Sequence, residues 1–415
     1  MRYVIKNKIF LLYIIFLYPL IFDFRTTQGS TKILVYMISV SFLIGSILII
    51  SNYKTINKKA FYFTLPFIIF LLFGITRSLI ESHSISLIFS SALPMVFFIL
   101  SVVIASSINI QDEKNVLNFI YIIVIFLISA AIFKFIFSFY YYGVDLSTVR
   151  YQIISAGLPL LFSYGLTSFL FQKQHFGIVA LFIPIIVVLV SITRTYILVY
   201  LAIFFYSIFT ISLKKTFRKY LFLLIILLIV LVILYFFIPE VYNRWIVRLF
   251  TGIEDKGGID VTFITRIAES KYQIDTLFSS LQNILFGLGI AAKTAFSSEY
   301  RDLLNLVYKD YTEFHSIGYG HNVYVGILFI SGLPIGLYMI YKLIVEPLKI
   351  RKEFLKKRKK TLANFIILWG GSASFGYLIY GFFGGTFGDR FGAVAYGLSF
   401  GIAFLGIRMK KNEKR

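Results

Sequence analysis

Three short stretches carry side chains suited to chemistry. Ser191-Ile192-Thr193-Arg194-Thr195 sets an arginine in a tight turn between two apolar segments. Arg266 stands at the start of a stretch with helical spacing. Gly318-Tyr319-Gly320-His321-Asn322 sets an imidazole beside an amide, after a glycine-rich approach, at the mouth of another apolar segment. A guanidinium is a planar fork that grips phosphate or carboxylate through paired charge-assisted hydrogen bonds. An imidazole takes or gives a proton near neutral pH. Together they make a set able to neutralise an anion and move a proton. Each also has a plain structural reading: Arg194 as a snorkelling interfacial arginine, His321 as a hydrogen-bonding group. His83, His175 and His315 carry the structural reading alone. A fourth cluster, Gly384-Gly385-Thr386-Phe387-Gly388-Asp389-Arg390, has glycines that admit close approach to the backbone, with Arg390 as its cation.

The elements that must position these residues are apolar. The chain has 415 residues, 59% hydrophobic and only 14% charged, a composition outside the soluble norm. It divides into about twelve segments of spanning length, at about 9–22, 32–50, 61–76, 85–107, 117–140, 151–171, 176–192, 195–213, 220–239, 322–342, 363–383 and 391–408. The fold class expected is therefore all-α: a polytopic integral membrane protein with spans one to nine in 1–239, a large outer loop over 240–320, and spans ten to twelve with a basic tail in 321–415. The first apolar stretch lacks a small-residue cleavage site and reads as an uncleaved span. Cysteine is absent, which excludes disulfides, thiolate metal sites and cysteine nucleophiles. Four scattered histidines give no expectation of a metal site.

Charge gives the orientation. With Met1 in the cytoplasm, lysines gather in the inner loops, as positive-inside sorting requires. Arginines instead concentrate in the outer loops, against that rule. Arg77, Arg150, Arg194, Arg244, Arg248, Arg266 and Arg390 are thus candidates for an anion site facing outward. A net charge of +22 often signals nucleic acid. Here the excess lies in short inner loops, so membrane lipids are the expected partner and nucleic acid is not. The basic run from Lys349 to Lys360 reads as a topology anchor. Lys134 is the one cation deep within a segment.

The loop over 240–320 is too long to be a mere connection. From Thr262 to Gln282, apolar residues recur at Phe263, Ile264, Ile267, Tyr272, Ile274, Leu277, Phe278 and Leu281, which predicts a helix lying on the outer ends of the spans or in the interface. Asp260 or Thr262 would cap it. It is either a plain cover or a lid that closes over substrate. Arg266 near its N-terminus adds an anion-attracting position.

The outer loop ending in His321-Asn322, followed by Gly332-Leu333-Pro334-Ile335-Gly336 within the next span, resembles the bacterial O-antigen polymerase and ligase superfamily. Arg266 with the phrase Ile284-Leu285-Phe286-Gly287-Leu288-Gly289, and the Ser191/Thr193-Arg194 turn before a span, carry the same resemblance. It covers topology over the whole chain and motifs over about 190–340. The family's serine-arginine turn appears here as Thr193-Arg194. The resemblance implies an inverting, metal-independent glycosyltransferase without a cofactor, which holds a lipid diphosphate in its outer loop and spans. It assigns essential roles to Arg194, Arg266 and His321, with Arg77, Arg150, Arg244, Arg248, Asn322 and Arg390 as further diphosphate or glycan contacts. Expected partners are undecaprenyl-diphosphate-linked glycans and a chain-length regulator protein. The expected setting is the bacterial inner membrane, with both termini cytoplasmic. Three activities stay open: polymerisation of repeat units for O-antigen, capsule or other lipopolysaccharide-type glycan; ligation of finished glycan to a lipid A core; and, from another class, flipping of the lipid-linked unit. A flippase would be expected to place charges deep in several spans and to show an internal repeat.

Overall fold

The computed structural model describes residues 8–22, 32–143, 149, 152–171, 175–211, 218–219, 221, 225, 232, 235–236, 239–246, 261–300, 314–317, 319–356, 358–384 and 387–413. The architecture is all-α. Its helices are α1 (Lys8–Leu17, continued by a 3-10 turn Tyr18–Phe22), α2 (Lys32–Ser51), α3 (Lys58–Ile80), α4 (Ile85–Ser106), α5 (Glu113–Tyr142), α6 (Leu158–Phe171), α7 (Gly177–Ser191), α8 (Arg194–Thr210), α9 (Pro239–Ile246), α10 (Val261–Phe278), α11 (Leu281–Phe286), α12 (Val323–Leu355), α13 (Leu362–Tyr380) and α14 (Arg390–Asn412). Among the described residues, six of these helices are long and apolar enough to cross a membrane: α3, α4, α5, α12, α13 and α14. Shorter apolar helices accompany them. The expected segment at 220–239 falls largely outside the described residues.

Helices suit such a chain because each satisfies its backbone groups internally. Their first turns are closed by side chains read directly from the sequence. Asn57, Ser84, Asp112, Thr361 and Asp389 accept hydrogen bonds from the backbone N–H groups of Lys59, Leu87, Lys114, Asn364 and Phe391. The segment expected from 151 becomes helical only at Leu158, with Pro159 in its first turn.

The core is the contact of α14 with α4 and α13. Gly397 and Gly401 let the backbone of α4 approach, and Gly406 does the same for α13, since a Cβ at each would collide with the neighbouring chain. The central window of α14 is accordingly 94% buried.

Two ends of the bundle are distinguished by their contacts. At one end, cations satisfy helix-terminal carbonyls, which have no partner within their own helix. Arg408 donates to the carbonyls of Thr55 (2.6 Å), Ser106 (3.0 Å) and Ile108. Lys410 donates to Glu353 O at 2.8 Å, and Arg351 to Phe209 O at 2.7 Å. This basic end gathers the start of α3 and the ends of α4, α8, α12 and α14. At the opposite end, Val323 N–H donates to Gly381 O at 2.9 Å, joining the start of α12 to the end of α13. The ring of Tyr196, in the first turn of α8, lies 5.2 Å from that of Tyr380. Residues 287–300, 314–317, 319–322 and the start of α14 belong to this end as well.

A two-stranded antiparallel sheet, β1 (Lys293–Ala295) with β2 (Phe314–Ile317), lies within the expected outer loop. The helix expected over Thr262–Gln282 is two helices. Chain direction breaks at Ser279-Ser280, and the Ser280 hydroxyl accepts from Asn283 N–H to start α11. Thr262 lies inside α10 and so is not its cap; Asp260 lies outside the described residues.

Candidate functional site

The glycine motifs of the sequence form one joint. Pro334 has no N–H, so the carbonyl of Ile330, four residues earlier, lacks its helical donor. Gly332 departs from helical geometry at φ 74, ψ 175 and opens α12 at the same place. The freed carbonyls of Phe329 and Ile330 accept from Leu288 N–H (2.9 Å) and Gly289 N–H (3.0 Å). On the other side, Ile290 N–H donates to Gly74 O at 3.1 Å, and Ala291 N–H to the Ser78 hydroxyl at 2.9 Å. Residues 287–291 are thereby stitched between α3 and α12. A Cβ on Gly287 would overlap the Ile330 carbonyl, and Gly287 itself has φ +65, so glycine is required twice over.

Arg77 locks this joint. Its Nε donates to Gly287 O at 3.2 Å, and Nη2 pairs with Glu81 at 2.6 Å. The Gln282 amide oxygen, turned toward it, accepts from Nη1 at 2.8 Å. The guanidinium is buried and engaged on every side by the protein.

The joint fixes where α10 meets the entry to α12, and there the structure pairs two residues. His321 Nδ1 lies 2.5 Å from Glu269 Oε2, and the His321 backbone N–H donates to the same oxygen at 3.0 Å. The carboxylate is 1% exposed and the imidazole 46% exposed. Gly320, at φ +66, makes the approach possible: a Cβ there would stand 2.6 Å from Glu269 Oε1 and 3.0 Å from Gln273 Nε2. Gln273 in turn donates to the Thr294 hydroxyl of β1 at 3.0 Å. Tyr319 is buried beneath the pair, its ring 6.1 Å from Phe70 and 5.6 Å from Phe387. Burial raises its phenol far above the usual range, so it remains neutral. In the tautomer that donates from Nδ1 to this carboxylate, a neutral ring carries its lone pair on Nε2, the form a general base needs.

Glu269 and Gln273 are missing from the residues picked out by sequence. Thr265, Ala268, Glu269 and Gln273 form the buried face of α10. Of the apolar stripe, expected on the outer ends of the spans or in the interface, Leu277 is buried while Phe263 is 61%, Ile274 43% and Phe278 56% exposed. Periodicity finds an apolar face without saying what meets it. A sequence signal for Glu269 exists: Glu269 and Gln273 stand one turn apart on one face of α10, beside the apolar stripe.

The remaining expected residues are distributed as follows. Asn322 caps α12, its side-chain oxygen accepting from Tyr324 N–H (3.1 Å) and Val325 N–H (3.3 Å), so that oxygen serves the helix. Arg266 is one turn before Glu269 on α10. Arg194 is the first residue of α8, after Ile192 in the left-handed region at φ 52. Trp245 of α9 donates to Leu189 O at 2.8 Å and packs with Ile192. The helix bearing Arg244 is therefore docked on the turn bearing Arg194. Arg390 opens α14 behind the Asp389 cap. Lys134, buried in α5, sits 5.7 Å from the Phe391 ring centroid in the same first turn. Arg150 and Arg248 lie outside the described residues. The structure thus docks the helix bearing Arg244 on the turn before Arg194, and places Arg266 one turn from Glu269, the partner of His321. The two groups are linked through Tyr196, Tyr380, Gly381 and Val323 at one end of the bundle. The chain matches no family model and no curated protein.

Proposed function

We propose that this protein is a multi-pass glycosyltransferase of the bacterial inner membrane, its basic end cytoplasmic and its Glu269–His321 end facing outward. It extends a glycan carried on undecaprenyl diphosphate by one lipid-linked repeat unit per turnover. The observation that carries this reading is the Glu269–His321 pair, with Arg194 and Arg390 starting helices at the same bundle end and Arg244 and Arg266 within α9 and α10. A diphosphate is already a good leaving group, so the protein must neutralise it, orient the acceptor and take one proton. In this scheme the acceptor hydroxyl oxygen attacks the anomeric carbon. The bond from that carbon to the diphosphate breaks with inversion, and the hydroxyl proton passes to His321 Nε2. Arg194 and Arg266 hold the diphosphate charge through their forks. Glu269 holds the ring in its basic tautomer and stabilises the imidazolium that forms.

A glycan-ladder assay in cells lacking the native protein tests the proposal. Complementation by the wild type should restore long glycan, and His321→Ala should give one repeat unit only. Intact polymer left on the lipid carrier, absent from lipid A core, would instead assign ligation. Repeat units trapped on the cytoplasmic face would assign transport.

A further inference from the structure

At the basic end, α3, α12 and α14 enclose a cavity of about 420 Å³. Its rim carries Lys59, Lys342, Lys349, Lys352 and Lys356 against the carboxylates of Glu346 and Glu353. The stripe Lys342, Glu346, Lys349, Glu353 and Lys356 follows one face of α12. Glu353 bridges to Lys356 at 2.9 Å and to Lys59 of α3 at 3.6 Å, and Lys349 reaches Glu346 at 3.7 Å. Those pairs hold the rim together and leave it with an excess of positive charge. The floor is apolar and closed: Phe63, Ile350, Phe404 and Ile407 are each at most 5% exposed. A positive rim above an apolar floor suits a molecule with an anionic head and a hydrocarbon body.

The flanks of the cavity say where such a molecule comes from. Along α3, Tyr62, Leu65 and Ile69 are exposed; along α12, Tyr341, Ile344 and Leu348 are exposed in one stripe. In a helix long and apolar enough to span, such a surface faces lipid. The cavity therefore opens between two lipid-facing flanks, at the level where cytoplasmic headgroups lie.

We infer that this cavity binds the phosphate headgroup of an anionic phosphoglyceride from the surrounding bilayer. The lysine rim receives the phosphate, and the apolar floor receives the glycerol and the first acyl methylenes. The inference rests on the membrane reading and stands whether or not the protein transfers glycosyl groups.

The test uses the full chain purified in an uncharged detergent and titrated with phosphatidylglycerol or phosphatidylcholine, with bound lipid counted by native mass spectrometry. The wild type should retain phosphatidylglycerol in preference to phosphatidylcholine. Lys349→Gln with Lys352→Gln should weaken phosphatidylglycerol binding roughly thirtyfold, from the usual contribution of a lysine near an anionic headgroup. Lys349→Arg with Lys352→Arg should keep it, which separates charge from damage to the fold. Arg358→Gln with Lys360→Gln removes the same charge outside the cavity and should leave binding unchanged. Equal loss from both neutral pairs, or loss from neither, would overturn the site. Complete displacement of the lipid by excess inorganic phosphate would assign a soluble anion instead and overturn the lipid source.

Discussion

One carboxylate oxygen of Glu269 meets both the backbone N–H and the ring Nδ1 of His321, at 3.0 and 2.5 Å. A single acidic residue on α10 therefore sets both the position of the chain and the orientation of the ring. His321→Ala should abolish glycan extension, by about a hundredfold or more for a lost general base. It should also lower protein abundance, because it strips a partner from a carboxylate that is 1% exposed. Adding Glu269→Gln to that variant should restore abundance and leave activity absent. Immunoblot and glycan ladder on the same cells read both. Recovery of long glycan in the double variant would remove His321 from the chemistry.

Glu269→Gln alone keeps the shape of the contact and loses its charge. Extension should fall at least about tenfold at normal abundance, because the ring loses the group that fixes its tautomer and stabilises its cation. Unchanged turnover in reconstituted vesicles would reduce Glu269 to a packing contact.

Arg194 and Arg266 should respond differently from Arg77. Arg194→Lys keeps the charge and loses the fork, so activity should drop roughly a hundredfold while the protein accumulates normally. Arg77→Lys gives up contacts to Gly287, Glu81 and Gln282. It should show as a lower melting temperature in detergent, with activity per folded molecule retained. The reverse pattern would exchange the two assignments.

The 287–291 joint should be brittle. Gly332→Ala puts a Cβ 2.6 Å from the Leu285 carbonyl carbon at a φ of +74, a combination worth about 1–3 kcal/mol of strain. Pro334→Ala supplies an N–H that competes for Ile330 O. Both variants should make residues 261–300 cleave faster in limited proteolysis than the wild type, with Gly332→Ala the more sensitive. Protection equal to the wild type in both would separate the kink from the joint.

Orientation is open to labelling, since the chain has no cysteine. An impermeant maleimide applied to intact spheroplasts should react with Ser298→Cys and spare Lys356→Cys. The opposite result would invert the protein in the membrane.

The sequence made the spans legible because the apolar runs of α3, α4, α5, α13 and α14 leave few alternatives to a helix. The apolar segment expected at about 322–342 forms the first part of a longer helix, α12, which runs on to Leu355. Charge ends a membrane segment, but the i,i+3 pairs Glu346–Lys349 and Glu353–Lys356 let the helix run on. His321 could be picked out by its glycine approach, and Glu269 was passed over. Its neighbours in sequence suggested a helix to be judged by its apolar face, while its polar face does the packing. Arg77 illustrates a different gap. A count of cations places a residue at one end of a bundle, but two of its three partners, Gly287 and Gln282, are more than two hundred residues away in sequence.

The centre of the bundle has a consequence for how the protein is made. The most enclosed helix, α14, is translated after every helix it packs against, and its glycines are the contact surface for α4 and α13. While the ribosome is still working, α4 must wait in the bilayer with its Gly397- and Gly401-shaped groove filled by lipid or by the insertion machinery. Closure of the core is then a late, post-insertion event in which protein displaces that filling. Quality-control proteases of the membrane would therefore meet helices already inserted that still lack the one that closes their core.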